Sequence, residues 1–301
     1  MNNRTVIESR SPNSRVAVET NGARNKRHFD AHLRGILPHK IVQKIRNVEA
    51  FLDDATRTDT SWAALYHGNF RAQLRGARVL ELGAGDGVNA LVMAALGADV
   101  TCVDISEETP SIVHFAAAQL DLESSVRAIS GDFVEMSFDP ASFDVVVGKA
   151  FLHHLTHEQE ARCLQKTATI LRPDGQARFT DPAVNSSWLD ACRWLVGVPG
   201  RPSRLNREAF RGYLKADPHP RRDNSSAHYV QQGARFFEHV EVVPIGGLER
   251  FHRLMSAGPS NRRFRRGALT AEHWLPRAVQ MKIARAHTLI LASPRQPVPE
   301  P

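Results

Sequence analysis

The run Val79-Leu80-Glu81-Leu82-Gly83-Ala84-Gly85-Asp86-Gly87 constrains this chain more than any other stretch. An apolar strand leads into a turn with glycine at every second place. A helix follows at once, with Val88, Leu91, Val92 and Ala95 at the spacing of one buried face. Twenty-one residues after Gly83, a second apolar run, Val100 to Val103, ends in Asp104. Strand, glycine turn, helix, strand and terminal carboxylate together predict a nucleotide-binding βαβ unit.

The details of the turn narrow the ligand. A dinucleotide fingerprint reads G-x-G-x-x-G. Here the third glycine falls one place early, and Val88 stands where that fingerprint wants glycine. Glu81 sits two places before the first glycine. A carboxylate at the turn repels a pyrophosphate and suits a cationic ligand. Both features weigh against a nicotinamide-dependent oxidoreductase.

This pattern resembles motif I of the class I S-adenosylmethionine-dependent methyltransferases, roughly E/D-x-G-x-G-x-G. The resemblance implies that Glu81, Gly83, Ala84, Gly85 and Gly87 hold the amino-acid part of S-adenosylmethionine, with Asp104 and the adjoining Ile105 at the ribose. Further matches follow in the family's order. Gly131-Asp132-Phe133 is similar to the adenine-contacting segment, with Asp132 at the exocyclic amine and Phe133 beside it. Phe143 to Gly148 reads as the fourth strand and runs into Lys149-Ala150-Phe151-Leu152-His153-His154-Leu155, similar to the family's x-x-x-L-H-H loop; Lys149 joins the expected cofactor contacts. Leu171-Arg172-Pro173-Asp174-Gly175 resembles the turn before a fifth strand. The resemblance covers about Leu74 to Asp181. It implies an α/β fold: a Rossmann-like sheet of seven strands, mostly parallel with an antiparallel last strand, helices on both faces, and helical cover from both chain ends.

Composition sets the outer bounds. No apolar run approaches the ~18 residues of a membrane span. The first residues lack the apolar core of a signal peptide. The three cysteines, Cys102, Cys163 and Cys192, lie far apart, which suits a reducing cytoplasm and neither a disulfide frame nor a zinc site. The 14 histidines show no regular ligand spacing, and neighbours such as His153 and His154 seldom both face one metal, so no metal is expected. The net charge of +7 gathers in Arg24 to Arg27, Arg221-Arg222 and Arg262 to Arg266. These clusters fit either an anionic partner such as RNA or a solvated surface.

Along the chain, residues 1–26 read as a disordered tail, rich in Asn, Ser and Arg. Residues 27–74 read as a helical segment. One helix is expected from Pro38, with Ile41, Ile45, Val48 and Leu52 on one face, and another from Trp62 to Leu74. The cofactor domain spans 75–182. Thr156-His157-Glu158-Gln159 is a capping box that opens a helix. Residues 183–293 hold the sixth strand (His239 to Pro244), the seventh (His287 to Ala292) and a long helical stretch between them, read as a cover over the substrate pocket. Residues 294–301 read as a loose tail.

Methyl transfer from a sulfonium is an in-line displacement, so the protein mainly holds nucleophile and methyl collinear. A general base is needed only for some acceptors. His153 and His154 are the candidates by position, as substrate contacts or as loop-packing residues. Asp181 ends the fifth strand, either at the ligand or capping the next turn. Tyr66 precedes motif I and either points its hydroxyl at the sulfonium or packs in its helix. His228 and Tyr229 could reach the pocket from the cover, and Trp188, Trp194 and Trp274 could line it. Lys149-Ala150-Phe151 replaces the Asn/Asp-Pro-Pro-Tyr of base methyltransferases, and no Pro-Cys pair is present. The expected enzyme is a cytoplasmic methyltransferase acting on a small organic molecule, with RNA as the alternative acceptor.

Overall fold

The computed structural model describes residues 19–295. Five helices precede the sheet: α1 (Asn21–Leu33), α2 (Pro38–Ile45), α3 (Val48–Thr58), α4 (Thr60–Leu65) and α5 (Phe70–Gln73). There follow β1 (Arg78–Leu82), α6 (Val88–Ala95), β2 (Asp99–Asp104), α7 (Thr109–Ala118), β3 (Val126–Ser130), β4 (Phe143–Lys149), α8 (His157–Ile170) and β5 (Leu171–Pro182). The remainder contains α9 (Ser187–Leu195), α10 (Arg207–Ala216), α11 (Ser226–Gly233), β6 (Phe237–Ile245), α12 (Pro259–Glu272), α13 (Arg277–Ile283) and β7 (Ala286–Pro294).

The seven strands run in the order β3-β2-β1-β4-β5-β7-β6. β1 to β5 pair in parallel, and β7 lies antiparallel between β5 and β6. β1 is central, and successive residues face opposite sides of the sheet. Val79, Val145 and Val147 enter one core with α2 to α7; Leu80, Leu82 and Val146 enter the other with Leu164, Phe179 and Tyr229. From β1 the chain first winds outward to β2 and β3, then returns on the other side to β4. That reversal opens a crevice at the carboxyl ends of β1 and β4, where ligands of such sheets lie.

The helices differ from the sequence expectation at three places. The expected disordered tail runs to residue 26, but α1 already begins at Asn21, with the Thr20 hydroxyl accepting from the Ala23 amide at its start; residues 1–18 lie outside the described residues. One helix from Pro38 becomes two, because the Asn47 side chain caps a fresh start at Val48. The helix expected from Trp62 to Leu74 divides at Gly68, whose φ of +66° leaves the right-handed helical region. The capping box at Thr156 and Gln159 forms as expected. Residues 296–301, most of the expected loose tail, lie outside the described residues.

The stretch between β6 and β7 takes a different place from the expected cover. α12 is pinned to α3, Arg262 to Asp54 at 2.6 Å, and Arg265 reaches Glu249 at 2.5 Å. Glu249 is buried and accepts from the Thr60 hydroxyl at 2.7 Å. The stretch therefore braces the N-terminal helices and does not line the main cavity. No helix of the described residues is long and apolar enough to cross a membrane.

Candidate cofactor and acceptor site

A cavity of about 320 Å³ opens at the crevice between β1 and β4. Its floor is the glycine turn (Gly83, Ala84, Gly85) with Glu81, Asp104 and Ile105. Asp132 and Phe133 form one flank, and Lys149, Phe151 and His154 the far end. α1 roofs it with Asn25, Phe29 and Leu33. Every wall residue falls between Asn21 and Gln159.

α1 is fastened along two seams. Asp30 accepts from the Ser106 hydroxyl at 2.6 Å and from the Glu107 amide at 3.1 Å, on the loop after β2. On the opposite side, the Asn21 and Asn25 amides donate to the His154 carbonyl at 2.8 and 3.1 Å. Phe29 sets its ring edge-on to His154, with centroids 5.1 Å apart.

Glycine is required in the turn for two different reasons. Gly83 and Gly85 have φ of +69° and +55° and belong to the cavity wall. Gly87, at +73°, does not line the cavity. A Cβ there would stand 2.2 Å from Val113 of α7, so the absence of a side chain lets α6 and α7 approach. Of the three glycines expected at the cofactor, two therefore line the cavity and Gly87 stands behind it. Asp104 is buried at the end of β2. Its two carboxylate oxygens accept from the Gly85 amide at 2.7 Å and the Ser106 amide at 2.8 Å. Burial raises its pKa, although both amide bonds favour the charged form.

Glu81 is the least ordinary group on the floor. It is buried, one oxygen accepts from the Asn89 amide at 2.7 Å, and the other has no partner among the described residues. Burial pushes its pKa up to about 8. Asn89 in turn accepts from the Tyr66 hydroxyl at 2.9 Å. Tyr66 thus orients Asn89 and stacks on Trp62 off the cavity wall, the packed one of its two expected positions. Lys149 reaches the wall with its ammonium over the Trp62 ring, 5.0 Å from the centroid. Asp132 accepts from the Val134 amide at 2.9 Å, which turns Phe133 inward.

The histidine end is built from distant parts of the chain. His153 and His154 occupy a 3₁₀ turn, Leu152–His154, between β4 and α8. Asp181, at the end of β5, accepts from both the His153 ring Nδ1 at 2.6 Å and its backbone amide at 3.1 Å. Burial works to raise the Asp181 pKa, but the hydrogen bonds and charge of His153 outweigh it and leave the carboxyl lowered. An ionised carboxylate only accepts, so Nδ1 carries the proton. His154 reaches the cavity, and burial, then the neighbouring histidines, lower its pKa to about 2, which keeps the ring neutral. His219, from the loop between α10 and α11, lies against both, with ring centroids 4.8 Å from His153 and 4.4 Å from His154.

Three of these residues escaped the sequence reading. His219 and its partner Asp217 lie 65 and 63 positions beyond the histidine pair, with no motif to link them. Arg222 was read within a basic cluster; its guanidinium is buried, pairs with Glu160 at 2.5 Å and donates to the Leu152 and Leu155 carbonyls at 2.8 Å each. Of the cover residues, His228 shares Glu160, at 2.9 Å, and Tyr229 is core; neither lines the cavity. Trp188 and Trp274 are exposed, and Trp194 packs on Phe210.

Comparison with known proteins agrees with this architecture. Residues 79–175 match the family described as a methyltransferase domain. Over 114 residues the chain is 40% identical to a cypemycin N-terminal methyltransferase of Streptomyces, covering 36% of this chain and 44% of that protein. A ubiquinone biosynthesis O-methyltransferase of Paraburkholderia phymatum is 29% identical over 109 residues, 36% of this chain and 46% of that protein. The chain therefore aligns with less than half the length of these relatives. A phosphoethanolamine N-methyltransferase of Haemonchus contortus, solved with phosphomonomethylethanolamine and S-adenosylhomocysteine, superposes with a TM-score of 0.51 at 14% identity, over 87% of this chain and 61% of that one. It shares the fold.

Proposed function

We propose that this protein is an S-adenosylmethionine-dependent methyltransferase acting on a small organic acceptor. The observation that carries this is Glu81: a buried carboxylate with one orphaned oxygen, set at a glycine turn on the cavity floor. Such a group complements an incoming ammonium, which favours its ionised form, and has no counterpart for the pyrophosphate of a dinucleotide. The glycine turn beside it bares its backbone, and Asp104 stands at the end of β2, so the residues present fit this cofactor.

In this reading Glu81 binds the cofactor's amino group, Asp104 takes the ribose hydroxyls, and Asp132 with Phe133 takes the adenine. When bound, S-adenosylmethionine supplies an electrophilic methyl group on a positively charged sulfur. Phe29, Leu33 and Phe151 exclude water from the cavity. His154, neutral at physiological pH, faces the acceptor's end of the cavity, and Asp181 holds His153 behind it. The relatives named above, a cypemycin N-terminal methyltransferase and a ubiquinone biosynthesis O-methyltransferase, support an acceptor other than a nucleic acid. The arginine clusters do not favour RNA: Arg222 is buried, and Arg262, Arg265 and Arg266 all face Asp54, Asp59 or Glu249.

Calorimetric titration with S-adenosylhomocysteine tests the reading. Micromolar binding is expected, weakened about 10–100-fold by Asp104→Ala, the loss of a charged hydrogen-bond acceptor. Binding weaker than millimolar, or indifference to Asp104→Ala, overturns it.

A further inference from the structure

The three histidines at the far end of the cavity are more ordered than acceptor contacts require. One ring nitrogen from each of His153, His154 and His219 lies within 4.8 Å of the others. Two of the rings are held by the same device. Asp181 accepts from the Nδ1 and the backbone amide of His153, and Asp217 accepts from the Nδ1 and the backbone amide of His219. Each carboxylate fixes the tautomer with the proton on Nδ1 and leaves the Nε2 lone pair free. Metal-binding histidines are oriented in this way by a carboxylate behind the ring. The third ring, His154, carries a buried Nδ1 with no partner among the described residues. The sequence expectation of no metal rested on adjacent histidines pointing apart; the 3₁₀ turn at Leu152–His154 brings both rings together, with centroids 4.2 Å apart.

We infer that His153, His154 and His219 bind one divalent first-row transition metal, with zinc the first choice. Three neutral imidazoles suit zinc, copper, iron or nickel and do not suit magnesium or calcium. Three protein ligands with an open fourth position are the arrangement of a catalytic zinc site, not of a structural one. Bonds of about 2.0–2.1 Å to one ion require the rings to draw closer than they stand. His219 is free to do so, because it sits on a loop with its side chain 37% exposed. His154 lines the cavity, so the open position faces the acceptor's end and takes an oxygen or nitrogen donor. The metal site stands independently of methyl transfer; only the role of its open position rests on the function proposed above.

The test uses the full chain stripped with a chelator and titrated with Zn²⁺ against a chromophoric competitor, and with Co²⁺ by visible absorption. One equivalent is expected at micromolar affinity or tighter, with cobalt bands of four-coordinate intensity. His219→Ala removes stoichiometric binding, and Asp217→Asn weakens it by ~10–100-fold. Less than a molar equivalent bound, or a zinc affinity unchanged by His219→Ala, overturns the inference. Titrating the same stripped samples with S-adenosylhomocysteine reads the glycine end separately. If metal binds and S-adenosylhomocysteine does not, the functional reading fails and the metal site stands; the reverse pattern sinks only the metal. Both substituted residues lie on the loop, outside the sheet and the described cavity wall, and thermal melting confirms that the variants fold.

Discussion

The two ends of the cavity are assembled in opposite ways. The glycine end comes from one continuous stretch, β1, its turn, α6 and β2, in which Glu81, Gly85 and Asp104 lie within 24 positions. Hydrogen bonds across it, such as Gly85 to Asp104, close a short loop. The histidine end joins a 3₁₀ turn after β4, the tip of β5 and the loop between α10 and α11. Its bonds span 28 positions from His153 to Asp181, and 62 from Arg222 to Glu160. A binding pocket for an invariant cofactor can be written as a local motif. A pocket for a variable acceptor is put together from whatever the fold brings near.

Three changes would break or sharpen that contrast. The largest effect is expected at the histidine end. Asp181→Asn withdraws the charge that holds His153, and on acceptors that give up a proton at the histidine end kcat should fall by up to ~10²–10⁴-fold. Affinity for S-adenosylhomocysteine should stay the same, and the pH profile of kcat should change shape. A matching loss of cofactor affinity would show that the two ends are one unit.

Next in size is Arg222→Ala. It leaves the fully buried Glu160 carboxylate with His228 as its remaining partner and frees the Leu152 and Leu155 carbonyls. Stability should fall by about 3–5 kcal/mol in denaturant unfolding. Replacing Arg222 and Glu160 together with methionine should recover much of that loss. No loss in the single variant would mean that the histidine turn is held by other contacts.

The third concerns Glu81 and is read by pH. Below pH 4.5 the carboxyl is protonated both folded and unfolded. Between 4.5 and about 8 the unfolded chain gives up the proton and the folded chain keeps it, so stability falls as pH rises through that window. The fall amounts to a few kcal/mol and should vanish in Glu81→Gln. An incoming ammonium favours the ionised form. Binding of S-adenosylhomocysteine near pH 7 should therefore release a proton, seen as a dependence of binding enthalpy on the buffer. Glu81→Gln should abolish that dependence, and an unchanged dependence would place the proton elsewhere.

What the sequence revealed follows the same division. The strands, the glycine turn, Asp104 and the capping box at Thr156 are all local patterns, and each stands where the sequence put it. α1 was obscured because it covers a cavity of mixed polarity: its inward residues include Asn21, Asn25 and Phe29, a composition that reads as disorder. Tyr66 could not be oriented from sequence because an aromatic upstream of the glycine turn can face either way, and only the Asn89 side chain decides which. His219 and Asp217 could not be foreseen, since nothing short of the folded chain brings residues 153 and 219 together.

α1 is stitched to the loop beyond β2 on one side and to the histidine turn on the other. Neither end of the cavity can open while both seams hold, and parting either one loosens the roof over the whole. On the function proposed above, cofactor and acceptor therefore share one roof, and a change in α1 is felt at both ends of the cavity.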